Sequence, residues 1–353
     1  MFAAAQTDAG FLPQPHCIMN NLKTLLARLH RRYLPAFLLA CGLTVAGASA
    51  ATINVSTLTQ FTAALTNVQP GDTILLSGTI DTGGTKLSTT KNGTSSAPIT
   101  ITGDGTAVIQ SRANYALEIL HDYYRLSNFR IQGVAGSTSN SPNKGIVIDS
   151  ADQGVVENVH VRYTDQEAFK VRNQSKYWLF AFCSARDTGL QNDYGEGFYV
   201  GQAASNWIGD TPDASGYITF FNCYTINTYN DGWDIKEGAH HIKMVNCTAD
   251  YSGSVEPPFD HPRGSDGWYI RADNIQVIKC SVKDLGNTEA AYRFSNQTVD
   301  GIDYGSSGNE IKQSAVIGGN GALIFSEGGT NGRVYTDCVP GPGGLLDSGT
   351  SAG

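Results

Sequence analysis

Along most of the chain, apolar and polar residues alternate in runs of three to six, broken by Gly, Asn and Asp. Examples are Ile99-Thr-Ile, Tyr124-Arg-Leu, Phe129-Arg-Ile, Gly145-Ile-Val-Ile, Val155-Val-Glu-Asn-Val, Tyr177-Trp-Leu-Phe, Tyr217-Ile-Thr-Phe, Ile242-Lys-Met-Val and Ile275-Gln-Val-Ile. A period of two over so few residues predicts short strands joined by tight turns. One stretch reads as a helix instead: Ser56 is the expected N-cap, and Leu58, Phe61, Leu65 and Val68 share a face up to Val68.

Six segments carry a finer pattern: Glu167-Ala-Phe-Lys-Val, Glu196-Gly-Phe-Tyr-Val, Asp231-Gly-Trp-Asp-Ile, Asp266-Gly-Trp-Tyr-Ile, Glu289-Ala-Ala-Tyr-Arg and Asn320-Gly-Ala-Leu-Ile. They recur every 23 to 35 residues or so. A turn residue followed by alternating apolar positions at such a period is the mark of a solenoid whose coils stack on one another. The first residues of the six segments should then form an acidic column stepped by about 4.8 Å. The fold expected is all-β: one right-handed parallel β-helix over residues 51–337, its first coil covered by the N-terminal helix as a lid. Residues 338–353, rich in Gly and Pro, form a cap or linker. The polar insertions Gly201–Ser215 and Gly253–Gly264 interrupt the coils beside the acidic column and should wall a cleft.

The first fifty residues stand apart. Arg28, Arg31 and Arg32 precede the apolar run from Tyr33 to Ala46, and Ala48-Ser49-Ala50 supplies the small residues of a cleavage site, so residues 1–50 read as a secretory signal peptide. Met19 is an alternative start, and Cys41 an alternative lipoprotein cleavage point. Nothing else is long and apolar enough to span a bilayer. The whole chain carries 24 basic and 32 acidic residues; without residues 1–50, which hold Lys23, Arg28, Arg31, Arg32 and Asp8, the balance is 20 against 31. So acidic a domain makes nucleic acid an unsuitable partner, and an anionic polymer would need a bound cation or a local basic patch.

Cys183, Cys223, Cys247 and Cys280 each end an apolar strand at the same point of the repeat. They should stack inside the solenoid as small buried thiols, with disulfides between coils as the alternative an exported protein permits. The absence of CxxC and of Cys/His clusters argues against zinc and iron–sulfur sites.

The richest chemistry lies in Asn230-Asp231-Gly232-Trp233-Asp234-Ile235-Lys236-Glu237. On a strand, Asp234 and Lys236 face one side while Trp233 and Ile235 face the other. Glu196 and Asp266 belong to the neighbouring coils. Carboxylates crowded this way need a partner, and oxygen ligands at a turn favour Ca²⁺ over transition metals.

These residues resemble a known family. Asn230-Asp231-Gly232-Trp233-Asp234 is similar to the Asp-Asp-Gly-aromatic-Asp calcium motif of family-nine pectate lyases, Glu196-Gly197-Phe198 falls where those enzymes carry another ligand, and Asp187-Thr-Gly-Leu-Gln is a phrase of that family. The resemblance covers roughly residues 183–272 and implies Ca²⁺ held by Glu196, Asn230, Asp231 and Asp234. It also implies β-elimination from an acidic polysaccharide. One departure is plain: the family's catalytic Lys follows a Gly-aromatic pair, and here Gly267-Trp268 is followed by Tyr269. Arg271 faces the same side as Tyr269, and Lys236 holds the equivalent place one coil earlier. A Lys and an Arg on nearby coils are similar to the pair in family-six lyases.

Lys236 is therefore read as the base, Arg271 as the clamp on the substrate carboxylate, and Tyr269 as the rival acid or base. Tyr199 and Trp207 are the expected stacking residues, and Arg172, with Lys170, and Asp266 the expected polar substrate contacts. The function expected is that of a secreted, monomeric, Ca²⁺-dependent lyase of pectate- or alginate-like polymers. A polygalacturonase-like hydrolase on the same fold, or a non-catalytic carbohydrate-binding β-helix, remains the alternative.

Overall fold

The computed structural model describes residues 50–191, 194–207, 209, 211–252, 266–285, 290–304, 307–319, 322–327, 334–342 and 344. Residues 1–49, with Met19 and Cys41, the insertion 253–264, Glu289, Asn320 and most of the tail lie outside the described residues. Within them, strands pair in parallel from coil to coil. A nine-stranded sheet runs in chain order from Leu87–Ser88 to Ala322–Glu327. Two further parallel ladders merge into a single sheet through the long strands Tyr124–Gln132 and Gly154–Thr164.

The corner between those two ladders recurs in every coil. Asn128, Asn158, Phe182, Asn222, Asn246 and Lys279 all adopt left-handed backbone angles, φ 51–60°. Asn tolerates that conformation at least cost, and the amide of Asn158 donates to Oδ1 of Asn128 (2.9 Å), so the corners also bond along the solenoid. The residue after the bend turns inward. This is why Cys183, Cys223, Cys247 and Cys280 form a column, all buried and all free thiols. Their Sγ–H groups point at backbone carbonyls, as from Cys183 to Val156 (3.3 Å). Burial raises the Cys183 thiol well above its ordinary pKa, and the thiolate is the reactive form. These four cysteines should therefore resist thiol reagents in the native protein and label only after unfolding in denaturant without reductant, in contrast to the partly exposed Cys338. Labelling blocked in denaturant until reductant is added, with a gain of two hydrogens per bond reduced, would mean disulfides.

The inner face of the nine-stranded sheet carries a stack of rings. Phe169, Phe198, Trp233, Trp268 and Tyr292 lie in register. Successive centroids are 4.7, 5.1, 4.7 and 5.0 Å apart, with interplanar angles of 26° or less. Val171, Val200, Ile235, Ile270 and Phe294 make a second inner column. At the N-terminal end the helix Leu58–Asn67 buries Phe61, Ala64 and Leu65. Its N-cap is Thr57, one residue later than expected: the Thr57 hydroxyl accepts from the Gln60 amide (3.3 Å). Ser56 is instead tied down by its own N–H donating to Oε1 of Gln60 (2.9 Å). Thr57→Ala should cost about 1 kcal/mol, read as a lower midpoint in denaturant, and Ser56→Ala much less.

Candidate active site

The register of the ring stack sets the outer face. Backbone N–H groups of Gly145, Ala168, Gly197, Gly232 and Gly267 donate to the carbonyls of Glu167, Glu196, Asp231, Asp266 and Ala290 in turn. The acidic column is thus Glu167, Glu196, Asp231 and Asp266. It ends at Ala290 because Tyr292 takes the place opposite Trp268. Glu289 and Asn320, expected as further members, lie outside the described residues; Ala290 pairs with Ala322. The glycine that follows Glu196 and Asp231 is required by packing: a Cβ at Gly197 would meet Cγ2 of Thr225 at 2.3 Å, and one at Gly232 the carbonyl of Gly267 at 2.7 Å.

Two more outward rows run beside the column. One holds Lys170, Tyr199, Asp234, Tyr269 and Arg293. The next, two residues further along each strand, holds Arg172, Gly201, Lys236, Arg271 and Ser295. With the column, all of these except Arg172, Gly201 and Ser295 line an open cleft of about 580 Å³. Ala203, Ser205 and Asn206, from the insertion at 201–215, line one side of it.

Asp234 is the hub. Its Oδ2 meets Lys236 Nζ at 2.5 Å and its Oδ1 accepts from Arg271 Nη2 at 2.8 Å. Arg271 also faces Glu237 (Nε to Oε2, 3.5 Å) and lies over the Tyr269 ring at 4.3 Å. Burial works against its charge, but Asp234 and Glu237 outweigh it and raise the guanidinium above its usual pKa. Arg271 is accordingly a fixed cation and not a base. Tyr199 is buried to 7% exposure and sits between two ammonium groups, Lys170 Nζ at 3.9 Å and Lys236 Nζ at 4.7 Å from its ring. Burial, then Asp234 and Glu196, push its phenol well above the ordinary value, so it keeps its proton. No hydrogen bond to the Tyr199 hydroxyl occurs among the described residues, whereas the Tyr269 hydroxyl accepts from Ser295 (3.1 Å).

The carboxylates divide into satisfied and unsatisfied. Glu167 is buried, which raises its pKa, yet Lys170 (2.8 Å) and Lys144 (2.9 Å) overcome this and hold it at about 2. Asp266 is paired with Arg293 at 2.5 Å and accepts from the Ala290 amide at 2.7 Å. Glu196 and Asp231 have no ion pair among the described residues. Burial, reinforced by Glu167 and Asp234, pushes Glu196 up to about 7. Burial and the negative Asp266 and Asp234 raise Asp231 well above the carboxylate range. One carboxylate oxygen from each of Glu196, Asp231 and Asp234 lies within 4.8 Å of the others. A Ca²⁺ ligand shell with bonds of about 2.3–2.6 Å tolerates that spacing, and two uncompensated acids fit a divalent ion. Asn230 meets Glu196 through its amide nitrogen (3.4 Å); service as an oxygen ligand would require the amide to be turned over.

A titration follows. Glu196 has a folded-state pKa raised from 4.5 to about 7. Its contribution to stability is therefore complete below pH 4.5 and is lost as pH rises through about 7. Glu196→Gln should flatten part of the fall in melting temperature over that interval, measured without divalent ions; an unchanged slope would contradict the burial argument.

Two expected substrate contacts lie elsewhere. Arg172 does not line the cleft: it pairs with Asp149 (2.8 Å) and covers Tyr115 at 5.6 Å. Trp207 lines a neighbouring hollow with Asn173, Gln202 and Asp213. Its indole N–H donates to the Gln202 carbonyl (3.0 Å) and its ring meets Tyr304 edge-on at 4.9 Å, so it packs against protein instead of offering a face to sugar. Tyr304 comes from the antiparallel hairpin Gln297–Val299/Ile302–Tyr304, which the coil pattern did not announce. Lys144, Glu167, Glu237 and Arg293 belong to the site and were not singled out as site residues. Aligning Tyr292 with Trp268, ring to ring, would have placed Arg293 beside Tyr269.

Comparison with known proteins agrees with this geometry. No curated protein sequence matches the chain. Among solved structures, an alginate lyase from Paenibacillus sp. str. FPU-7 aligns with a TM-score of 0.72 and 20% identity, over 85% of this chain and 99% of that one. The pectate lyase Pel9A aligns with a TM-score of 0.60 and 14% identity, over 86% and 80%. A rhamnogalacturonan lyase aligns at 0.51 and 11%, over 80% of each. Likeness at these identities establishes the fold. The family model for the Pel9A-like, right-handed β-helix region matches residues 43–268. The chain therefore belongs to the Pel9A-like right-handed β-helix family.

Proposed function

We propose that this protein is a polysaccharide lyase that cleaves an acidic, uronate-containing polysaccharide by β-elimination, with Lys236 as the base. The observation that carries the reading is the cluster at Asp234: an amine and a guanidinium share one buried carboxylate, with a protonated phenol beside the amine. Elimination needs those parts. Arg271, fixed in charge, neutralises the substrate carboxylate and so stabilises the enolate-like transition state. Lys236 leaves Asp234, releases its ammonium proton to solvent and, as the free amine, takes the C5 proton. The C4–O bond then breaks as the C4=C5 double bond forms, and the departing oxygen takes a proton from Tyr199. Tyr269, held by Ser295 and Arg271, positions Arg271. Glu196, Asp231 and Asp234 would hold a Ca²⁺, whose chemistry when bound is further neutralisation of the uronate carboxylate. The pattern of residues 28–50 supports export, and the described residues contain no helix able to cross a membrane.

The hydrolase alternative is less well served. Inverting hydrolysis asks for carboxyl groups roughly 6.5–9.5 Å apart, whereas Glu196, Asp231 and Asp234 approach within 4.8 Å. Incubation with polygalacturonate, alginate and a glycosaminoglycan, with calcium and with chelator, tests the reading. The expected result is ultraviolet absorbance from an unsaturated product on one polymer. Calcium should also raise the melting temperature above pH 7, where Glu196 is ionised, and Asp231→Asn should remove that rise. Reducing ends without absorbance would favour the hydrolase.

A further inference from the structure

A second cluster of charge lies on the merged sheet, away from the nine-stranded sheet that carries the cleft. Arg130, His160, Ser184 and Tyr224 form one row across neighbouring strands, and Gln132, Arg162, Arg186 and Ile226 form the next. The first row, with Arg162 and Arg186 of the second, lines a groove of about 260 Å³. Its floor is polar and ordered: His160 Nδ1 is 2.7 Å from the Ser184 hydroxyl, and Nε2 is 3.1 Å from Oδ1 of Asn158. Its rim is exposed and consists of Arg130, Arg162, Arg186 and Tyr224.

The arginines are costly where they stand. Arg162 and Arg186 are directly opposite in the ladder, and like charges so placed destabilise a sheet. Arg162 bonds to a neutral acceptor, Oε1 of Gln132, through Nε (3.0 Å) and Nη2 (2.7 Å). Arg186 holds the buried carboxylate of Asp187 at 2.9 Å. The Arg130 guanidinium has no hydrogen bond or ion pair among the described residues. Arg130 and Arg162 thus carry charge without a carboxylate partner among the described residues, on a chain of net charge −8, and an external anion offsets it most simply.

We propose that this groove is a second binding site, for a segment of acidic polysaccharide held away from the cleft. Guanidinium forks match carboxylates in a bidentate manner. The step between strands, about 4.8 Å, is close to the length of one pyranose, so arginines on successive strands can meet carboxylates on successive sugars. The exposed Tyr224 ring offers a stacking face. Tethering the polymer here would raise its effective concentration at the cleft without taking part in the reaction. The class of ligand rests on the proposed function; the existence of an anion site does not.

The test is affinity electrophoresis of the full chain through gels containing a polyuronate, a neutral glucan or polyphosphate. The Lys236→Ala background prevents cleavage. Adding Arg130→Gln, Arg162→Gln and Arg186→Gln should weaken retardation by polyuronate at least several-fold and leave migration in neutral glucan unchanged. The same three changes in the Lys236 chain should leave turnover of a short soluble oligouronide unaltered, and Arg130→Gln with Arg162→Gln alone, which keep Arg186 on the buried Asp187, should leave the melting temperature unaltered as well. Undiminished retardation by polyuronate overturns the site. Diminished retardation by polyphosphate alone overturns its assignment to polysaccharide. Because binding is read without catalysis, failure of the elimination reading leaves this result interpretable.

Discussion

Lys236→Ala lowers turnover of the acidic polymer by about 10²–10⁴-fold, the range for loss of a positioned base, while the protein stays folded. The residue is 9% exposed and its ammonium contacts Asp234 and the Tyr199 ring. Removal leaves Asp234 with Arg271 as partner, so the buried carboxylate is not stranded. The effect should fall on kcat more than on KM, since the base acts in the transition state and binds the ground state little. Lys236→Arg should fail nearly as badly despite keeping the charge, because a guanidinium gives up its proton only far above neutral pH. Rescue by arginine would mean that position 236 needs only a cation and that the base lies elsewhere, with Tyr269 the first to examine. Tyr199→Phe separates the roles: it keeps the ring between Lys170 and Lys236 and removes the proton donor.

Trp233→Ala costs about 3–5 kcal/mol of stability, the range for a large buried aromatic. Trp233 has no exposed surface and stacks between Phe198 at 5.1 Å and Trp268 at 4.7 Å, so its loss opens a gap in the middle of the ring column. In a solenoid each coil leans on its neighbours alone, and the gap should uncouple the coils on either side. The expected signature is a thermal transition that falls and broadens, with hydrogen exchange quickening first in strands Phe198–Val200 and Trp268–Ile270. Trp233→Phe should recover much of the loss. A sharp transition at the original temperature would show that the column is not the spine of the fold.

Much of this architecture is legible in the chain because a coil repeats one short physical statement. Asp231-Gly-Trp-Asp-Ile-Lys says turn, close approach, in, out, in, out, and Trp233 and Ile235 are buried while Asp234 and Lys236 meet over the cleft. The cysteine column follows from the same logic, each thiol sitting one residue past a left-handed corner. What was missed depended on register: packing aligns rings before it aligns charges, and Tyr292 opposite Trp268 puts Arg293 beside Tyr269 in the cleft. Trp207 was misread for another reason: insertions outside the coils obey no period, and the hairpin that covers it comes from a hundred residues further on. Lys144 escaped because it continues the acidic column in an earlier coil with the opposite sign, pairing with Glu167 at 2.9 Å.

The central claim is that bond cleavage here is elimination, and the most direct test is mass spectrometry of the products made by the intact chain from a defined oligouronide. The account predicts a fragment lighter by one water than the corresponding hydrolysis product, carrying a C4=C5 double bond at its new non-reducing end and absent from digests with Lys236→Ala. Fragments that have gained a full water, with oxygen from labelled solvent at the new reducing end, would contradict it and make Glu196, Asp231 and Asp234 the residues of a hydrolase.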